Sequence, residues 1–338
     1  MSDGMTRGKF WQKIDNNIIE CNLCPRKCRL KNGQKGFCFG RENKSGEMIV
    51  LNYEKCSTIA IDPMEKKPLY HFYPGSKILS FGTIGCNLDC KFCQNWNISR
   101  FDNVPVEELK IDSIMEVLKL KKINNIAFTY NEPITFAEFA MDVADSAHDN
   151  GFKTVCVSSG YISEDAREKF FSKMDAANID LKSFSEEFYR TLCSGSLNPV
   201  LENLIYLKNE TKVWLELTTL LIPGRNDGEN ELKAMIDWVL KYLGEDVPWH
   251  FSAFHPAYKL NDVAQTEPER VLEVRDMAIR VGAKYVYAGN ISDRKSSNTY
   301  CANCGKVLIE RNYYEVKKIN LKENNKCLFC GFEIPGYF

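Results

Sequence analysis

The chain has 338 residues, of which 44% are hydrophobic and 26% are charged. This composition excludes a disordered chain and a fibrous repeat, and the length suffices for one large domain with smaller attachments. The 44 basic residues nearly balance the 45 acidic residues, so nucleic acid and anionic membrane surfaces are not expected partners.

The start of the sequence, residues 1–9, carries no apolar leader, and no run of about 18 apolar residues occurs anywhere. We therefore expect no membrane segment and a cytoplasmic location. The sequence contains 14 cysteines. In a reducing compartment such thiols stay free to bind metals, and most of these fall into three closely spaced groups.

The first group lies in residues 1–76, a region rich in Cys, Lys and Gly with little periodicity. We predict that bound metal, rather than a core, organises this region. The spacing is C-x2-C-x3-C-x9-C, and nearby basic residues favour thiolates. The metal stays open between zinc and an auxiliary iron–sulfur cluster, with Cys56 as an alternative ligand. The four predicted ligands are Cys21, Cys24, Cys28 and Cys38.

From residue 77 onwards, short apolar runs alternate with helical patterns. Strands are predicted at 77–82, 125–130, 153–158, 176–181, 212–219, 249–254 and 284–288. Helices are predicted at 106–121, 134–150, 163–173, 198–208, 229–242 and 267–281. Such alternation predicts βα units around a parallel sheet, an α/β fold of the partial (β/α)6 barrel type over residues 77–291.

Unusual polar residues follow several of the predicted strands. Active sites of such barrels lie at the carboxyl ends of their strands, so these residues are expected to meet in one site. They include Cys86 after the first strand, Asn131 and Glu132 after the second, Ser158 after the third, Asp180 and Lys182 at the fourth, and His255 after the sixth.

The loop after the first predicted strand carries Cys86, Cys90 and Cys93 in the spacing C-x3-C-x2-C. Three thiolates can ligate three irons of a [4Fe–4S] cubane and leave the fourth iron without a protein ligand. Catalytic metal sites keep such a position free for substrate. A zinc knuckle and an electron-transfer cluster with a distant fourth cysteine are the alternatives.

Other residues have weaker signals. Cys156 lies in an apolar run and is predicted to be a core thiol. Cys193 is expected near the barrel mouth, where a radical or nucleophilic role is the alternative to packing. Trp96 is predicted to pack rather than to stack on a ligand. Arg225 and Asp227 stand at a turn and are alternative substrate contacts.

Residues 292–338 form a polar linker followed by a short tail bounded by cysteines. The tail has two C-x2-C pairs, each followed by glycine, which is typical of a zinc ribbon. An iron–sulfur site and unmetallated thiols are the alternatives. The predicted role is structural, since so short a tail has little core of its own. The four cysteines are Cys301, Cys304, Cys327 and Cys330.

Several segments carry a resemblance to a known family. They are GCNLDCKFCQNW at 85–96, DPMEKKPLYHFYPGS at 62–76, TYNEP at 129–133 and the N-terminal CNLCPRKC. Together they resemble the AmmeMemoRadiSam system radical S-adenosylmethionine (SAM) protein, over roughly residues 18–338. That family is similar in turn to pyruvate formate-lyase activating enzymes.

The resemblance implies a chemistry. The amino and carboxylate groups of SAM bind the open iron, and one electron from the reduced cluster breaks the sulfonium C–S bond. The resulting 5′-deoxyadenosyl radical removes a hydrogen atom from an unidentified substrate. The alternative is a non-catalytic iron–sulfur electron carrier or a zinc-ribbon binding module, in which every metal is saturated by protein ligands.

The resemblance also assigns roles to residues. Tyr130 and Asn131 stand where activating enzymes carry Gly-Gly, and Glu132 matches the Glu that helps to hold the SAM amino group. Asp180 and Lys182 match an Asp-x-Lys segment, in which Lys182 pairs with the methionine carboxylate. His255 corresponds to a histidine near the cofactor. Asn131 and Ser158 complete the expected cofactor-binding set.

The resemblance further implies partners. An electron donor of the flavodoxin or ferredoxin type is expected, together with functional association with Memo-like and AMMECR-like proteins. Similarity to activating enzymes points to a glycine in a partner protein as the substrate. The additional cysteine groups fit equally well with modification of a small molecule or another macromolecule.

Overall fold

An eight-stranded sheet forms the centre of the computed structural model, which describes residues 6–15, 17–101 and 103–338. The start of the chain, used above to predict that no leader is present, lies partly outside the described residues. The strands are β1 (Thr58–Pro63), β2 (Lys77–Gly82), β3 (Asn125–Phe128), β4 (Lys153–Ser158), β5 (Ala176–Asp180), β6 (Trp214–Leu221), β7 (Trp249–Ala253) and β8 (Val286–Gly289).

Helices connect the strands from β2 to β8. They are α1 (Ile111–Lys121), α2 (Ala137–Asp149), α3 (Glu164–Phe171), α4 (Asn198–Glu210), α5 (Glu229–Tyr242) and α6 (Pro268–Val281). Shorter helical turns lie at Met64–Lys66, Trp96–Ser99, Pro133–Phe136, Glu186–Phe188, Tyr189–Cys193, Lys295–Ser297 and Glu323–Asn325.

The sheet runs in strand order from β1 to β8 without a crossover. Neighbours from β2 to β8 are parallel, whereas β1 pairs antiparallel with β2, Thr58 opposite Gly82. Within the described residues β1 and β8 do not pair with each other, so the barrel is open. The predicted α/β fold with a partial (β/α)6 barrel is confirmed.

Burial explains why these segments form these elements. Every residue of β3 and β7 is buried, as expected for parallel strands covered on both faces. In α2, buried Ala140, Val143, Ala144 and Ala147 recur at helical spacing and pack against the sheet. The spacing of hydrophobic residues therefore determines whether each segment forms a helix or a strand, and which of its faces is buried.

Several predicted boundaries differ from the structure by up to five residues, and two of the differences have a clear cause. The helix predicted from residue 106 begins only at Ile111, because Glu107–Glu108 pairs with Lys55–Cys56 as a short antiparallel strand. The strand predicted to reach residue 130 ends at Phe128, because the chain turns at Tyr130. Strand β1 was not predicted, although Thr58–Pro63 alternates in burial along its length.

The N-terminal region is better packed than expected. Its short antiparallel strands form two small sheets, and Ile19, Leu23, Leu30 and Met48 are buried in the same core as the barrel. The expectation that this region lacks a core is therefore wrong. The strands are Thr6–Arg7, Trp11–Lys13, Ile18–Cys21, Arg29–Lys31, Arg41–Lys44 and Glu47–Val50.

The C-terminal tail forms two small antiparallel sheets, one of three strands and one of two, and packs on the barrel. Buried Tyr285 and Tyr287, around β8, share a cluster with Leu308 and Ile309 of the tail. The strands are Thr299–Tyr300, Val307–Asn312, Glu315–Ile319, Leu321–Lys322 and Lys326–Cys327. The predicted divisions at residues 76 and 291 remain predictions, and β1 extends the central sheet across the first of them.

Among the residues described, none of the helices has the length and apolar character needed to cross a membrane.

His71 links the barrel to the tail and predicts a pH dependence. Its Nδ1 donates to Pro335 O at 2.8 Å, so its Nε2 accepts from Tyr287 Oη at 2.6 Å in the neutral form. Burial lowers the pKa of His71 to about 4. As the pH falls below roughly 6.5, His71 takes up a proton in the unfolded chain but stays neutral in the folded chain. The free energy of unfolding therefore falls by about 3 kcal/mol between pH 6.5 and 4.

Urea unfolding at several pH values in this window measures the effect. We expect His71→Gln to flatten the pH dependence of the free energy of unfolding. An unchanged slope in His71→Gln would contradict the assignment.

Candidate active site

A cavity of about 810 Å³ opens at the carboxyl ends of the parallel strands. Its wall contains the three cysteines of the loop after β2 together with side chains that follow β3, β4 and β5. The structure thus brings Cys86, Cys90, Cys93, Glu132, Ser158 and Lys182 to one site. This convergence follows from the fold, because parallel strands end at the same edge.

Backbone contacts hold the cysteine loop in place. Asp89 N donates to Cys193 O at 2.9 Å, and Lys91 N donates to Leu192 O at 2.8 Å. Gly85, with φ of +89°, allows the chain to turn into the loop. The loop is therefore fixed on the segment that follows β5, rather than free at the surface.

Asn131 organises the entry to this loop. Its amide donates to Gly85 O at 2.8 Å and to Thr83 Oγ1 at 3.1 Å, and its Oδ1 accepts from Thr83 N at 2.9 Å. Asn131 is buried and lines the cavity. Its side chain is thus committed to positioning the loop, and its predicted contact with cofactor stays a prediction.

Glu132 joins the ends of β3 and β4. Its Oε1 accepts from Ser158 Oγ at 2.6 Å and Ile134 N at 3.2 Å, and its Oε2 accepts from Ser159 N and Oγ at 2.8 and 2.7 Å. Burial raises the pKa of this carboxyl, while these hydrogen bonds oppose the rise. The carboxylate already has four donors, so its contribution within the protein is to orient the serines.

Tyr130 adopts the backbone conformation of a glycine. Its φ is +70°, in the left-handed region where glycine is favoured. The side chain offsets this strain, since its hydroxyl donates to Asp62 Oδ2 at 2.7 Å. Tyr130, which the resemblance aligns with a glycine, therefore takes a backbone conformation in which glycine is favoured.

Asp180 and Lys182 form an ion pair at the cavity wall, with Nζ 2.7 Å from Oδ2. Burial alone would lower the pKa of Lys182, but Asp180, Cys90 and Cys193 together raise it well above its ordinary value. Lys182 is therefore a cation at neutral pH, placed beside the thiols of the loop.

Cys193 lies against Cys90. The pKa of the Cys90 thiol is raised well above its ordinary value, first by a hydrogen bond with Cys193 and second by burial. Cys193 is fully buried and is not among the residues that line the cavity. It therefore sits behind the loop, on the side away from the space a ligand would enter.

His255 is exposed and does not line the cavity, so the structure does not support its predicted position near cofactor. The chain leaves the sheet after β7 and carries His255 outward. Sequence reasoning missed His250, which lines the cavity from within β7 and pairs with Glu216 at 2.7 Å. Its signal was a polar residue inside a fully buried strand.

Glu216 is completely buried and accepts from Tyr70 N, His71 N and Trp214 Nε1 as well as from His250. Burial alone would raise the pKa of its carboxyl. The hydrogen bond with His250 and the other partners together outweigh burial, so the pKa of Glu216 is lowered. The result is a negative charge fixed beneath the cavity.

The tail contributes to the mouth of the same cavity. Tyr313 and Tyr314, in the turn between two tail strands, line it together with Asp293 and Arg294. Sequence reasoning missed this placement, because nothing in the tail pattern shows what it packs against.

The other candidates behave as structural residues. Trp96 stacks on Tyr258 with ring centroids 5.4 Å apart, as predicted for packing. Asp227 Oδ1 accepts from Gly224 N and closes a turn. Cys156 is fully buried in β4. These residues and Arg225 are absent from the cavity wall.

The two terminal cysteine groups are both assembled, in different geometries. In the tail, Cys301 and Cys330 have sulfurs 3.6 Å apart, and those of Cys304 and Cys327 are 3.8 Å apart. All four sulfurs lie within 4.8 Å of one another, an arrangement that can hold a metal ion. The N-terminal group lines a separate small cavity with Cys21, Cys24, Cys28 and Cys38 in its wall.

Comparison with known proteins agrees with this geometry. The family model of the Radical SAM superfamily matches residues 81–239. The chain is 41% identical over 333 residues to the uncharacterized protein MJ0808 of Methanocaldococcus jannaschii, covering 98% of this chain and 99% of that protein.

More distant relatives follow. The 4-hydroxyphenylacetate decarboxylase activating enzyme of Clostridioides difficile is 23% identical over 242 residues, covering 62% of this chain and 76% of the enzyme. A radical SAM methyltransferase from Sphaerobacter thermophilus shares the fold, with a TM-score of 0.51 at 13% identity over 90% of this chain and 81% of that one. The chain therefore belongs to the same family as MJ0808 and carries a Radical SAM superfamily domain.

Proposed function

We propose that the protein is a radical SAM enzyme that cleaves SAM reductively at a [4Fe–4S] cluster on Cys86, Cys90 and Cys93. The observation that carries the proposal is the convergence of these three cysteines with Lys182 and Glu132 on one cavity. The superfamily match and the similarity to activating enzymes support it.

The donor set fits a cubane better than a zinc ion. Three thiols lie on one wall of a cavity, and within the described part of the chain they do not form a group that could hold a single metal ion, as the four sulfurs of the tail do. A cluster held there would supply one electron to the sulfonium of SAM, so that the C5′–S bond would break to give methionine and a 5′-deoxyadenosyl radical.

The chain's own residues then position SAM. Lys182 presents a partly buried cation that can pair with the methionine carboxylate, and a charge-assisted bond of this kind gains strength away from water. Glu132 and Asn131 hold the strand ends and the loop in register.

Anaerobic reconstitution with iron and sulfide, followed by dithionite and SAM, tests the proposal. We expect release of 5′-deoxyadenosine, and the absence of this product from a fully reconstituted protein would refute it. Deuterium transfer into 5′-deoxyadenosine from candidate substrates would then identify the substrate.

The rival is a non-catalytic electron carrier whose fourth iron is held by a further protein thiolate, and Cys193 is the thiol to test because it contacts Cys90, although it lies behind the loop. In an enzyme with an open iron, SAM should shift the electron-spin spectrum of both the wild type and Cys193→Ser. A carrier saturated by Cys193 would show no SAM-dependent shift in the wild type.

Similarity to activating enzymes supports a glycyl radical partner protein as one substrate class. A doublet in the electron-spin spectrum of the partner after turnover would identify it. The resemblance to the AmmeMemoRadiSam family supports association with Memo-like and AMMECR-like proteins in the cytoplasm, with a flavodoxin or ferredoxin as electron donor. Affinity capture with each purified candidate checks these partners.

We also propose that the tail holds one zinc ion. Tetrahedral zinc with Zn–S bonds of about 2.3 Å sets its sulfurs roughly 3.8 Å apart. The tail distances of 3.6 and 3.8 Å match this value. The ion would support a fold that has little core of its own.

We expect Cys330→Ser to lose this zinc, because one of four thiolates is removed from a closed site. Metal analysis should show zinc falling from about one per chain towards zero. Cys56→Ser, which changes a buried thiol outside the group, serves as the control. Retention of zinc by Cys330→Ser would contradict the assignment.

A further inference from the structure

The N-terminal group of cysteines forms a pocket of its own. Cys21 and Cys24 are buried, Cys28 and Cys38 are half-buried, and all four line one small cavity of about 20 Å³. Cys21 N donates to Cys28 O at 2.9 Å, which closes the chain into a knuckle. Four thiols from a segment of 18 residues therefore face one space.

The spacing of the sulfurs distinguishes between metals. In the tail, four sulfurs lie within 4.8 Å of one another, as a single zinc ion requires. Among the described residues, neither the N-terminal group nor the loop after β2 brings its sulfurs together as a group that could hold a single metal ion. Thiolates on the separate irons of a cubane are held farther apart than those on one ion. The N-terminal group thus resembles the cluster loop and differs from the zinc-like tail.

A buried cation provides a second, independent observation. Arg41 is 1% exposed and also lines the small cavity. Its Nη2 donates to both carboxylate oxygens of Glu138 at 2.6–2.7 Å and its Nη1 donates to Lys9 O at 2.9 Å, but within the described chain its Nε has no hydrogen-bond partner. A buried donor without an acceptor is unfavourable. Thiolates or sulfides in the cavity would accept this hydrogen bond.

The positive side chains around the pocket also favour an iron–sulfur cluster. A [4Fe–4S] unit with four thiolates carries a net negative charge, which requires compensation when it is buried. Arg41 lines the same cavity as the four cysteines and places a cationic guanidinium beside them. Arg26 also lines the cavity, and its guanidinium donates to Asn87 O.

We propose that Cys21, Cys24, Cys28 and Cys38 hold a second iron–sulfur cluster, of the [4Fe–4S] type with a protein thiolate on each iron. Such a cluster has no position for SAM, so its role is electron transfer or support of the N-terminal region. The part it plays beside a catalytic cluster rests on the proposed function, whereas the metal site itself does not.

The pocket adjoins the cluster loop. A Cβ on Gly85 would lie 1.9 Å from Cys38 O, so the backbone of the N-terminal segment packs directly on the residue before Cys86. Arg26 reaches across to Asn87 O within the loop. The two groups of cysteines are therefore neighbours through backbone contact.

The test removes each site separately in the full-length chain. After anaerobic reconstitution, the triple variant Cys86→Ala/Cys90→Ala/Cys93→Ala should retain about four irons and four sulfides per chain, half of the wild-type content. Its Mössbauer spectrum should be that of a [4Fe–4S] cluster and should not change when SAM is added.

The converse variant, Cys24→Ala/Cys38→Ala, should lose half of the iron. Cys56→Ala is its matched control, because Cys56 is a buried thiol of the same region whose Sγ donates to Thr58 O at 3.3 Å and does not line the pocket. If the double variant fails to fold, the triple variant still decides the question.

Loss of all iron from the triple variant would overturn the proposal, and so would a second zinc ion that disappears in Cys24→Ala/Cys38→Ala. Failure of the proposed function gives a different result: no 5′-deoxyadenosine from the wild type, with four irons still present in the triple variant.

Discussion

Substitution of Cys90 by Ala is expected to reduce 5′-deoxyadenosine formation to the level measured without protein. Cys90 is one of the three proposed ligands that line the cavity, and a cubane held by only two thiolates would lose its anchorage on the loop. The variant also loses the hydrogen bond with Cys193. Product formation with dithionite and SAM, measured by liquid chromatography, is the readout.

Cys156→Ala is the matched control for this variant. It removes a fully buried thiol from β4, a strand of the same sheet, without touching the loop. We expect it to keep both the iron content and the cleavage of SAM. Equal product from Cys90→Ala and the wild type would show that the cluster is held elsewhere.

Substitution of Arg311 by Met is expected to destabilise the tail by about 3–5 kcal/mol, because it leaves the buried carboxylate of Glu65 without its cationic partner. Arg311 is 1% exposed, and its Nε lies 3.3 Å from Glu65 Oε1. The same guanidinium donates to Tyr70 O at 2.8 Å and Thr299 Oγ1 at 2.9 Å. One side chain therefore joins the barrel to the tail.

Amide hydrogen exchange within the tail strand Val307–Asn312 measures this loss directly. Arg280→Met, on the exposed face of α6, controls for removal of an arginine. The double variant Glu65→Leu/Arg311→Met removes both charges and should recover much of the stability, since apolar replacement of a buried pair is often tolerated. If Arg311→Met lowers the stability of the tail by less than about 1 kcal/mol, the ion pair between Glu65 and Arg311 is a weak contact and the prediction is wrong.

The fold and the catalytic loop were predictable because their signals are local. Hydrophobic periodicity located each strand from β2 to β8 and every helix between them to within a few residues. The spacing of Cys86, Cys90 and Cys93 lies within eight residues of one loop. Such patterns depend on the geometry of contiguous chain and need no knowledge of distant contacts.

The remaining features depended on contacts between residues far apart in sequence. The pairing of Glu65 with Arg311 spans 246 positions, and no local pattern predicts it. The same holds for Cys193 behind Cys90, and for His250 rather than His255 at the cavity.

The sequence by itself determined which residues could bind metal and where the strands end. Only the tertiary structure decided how far apart the sulfurs of each group lie and which side chains face the cavity. The physical reason is that spacing along the chain limits a ligand set, whereas the distances between its atoms are set by packing of the whole core.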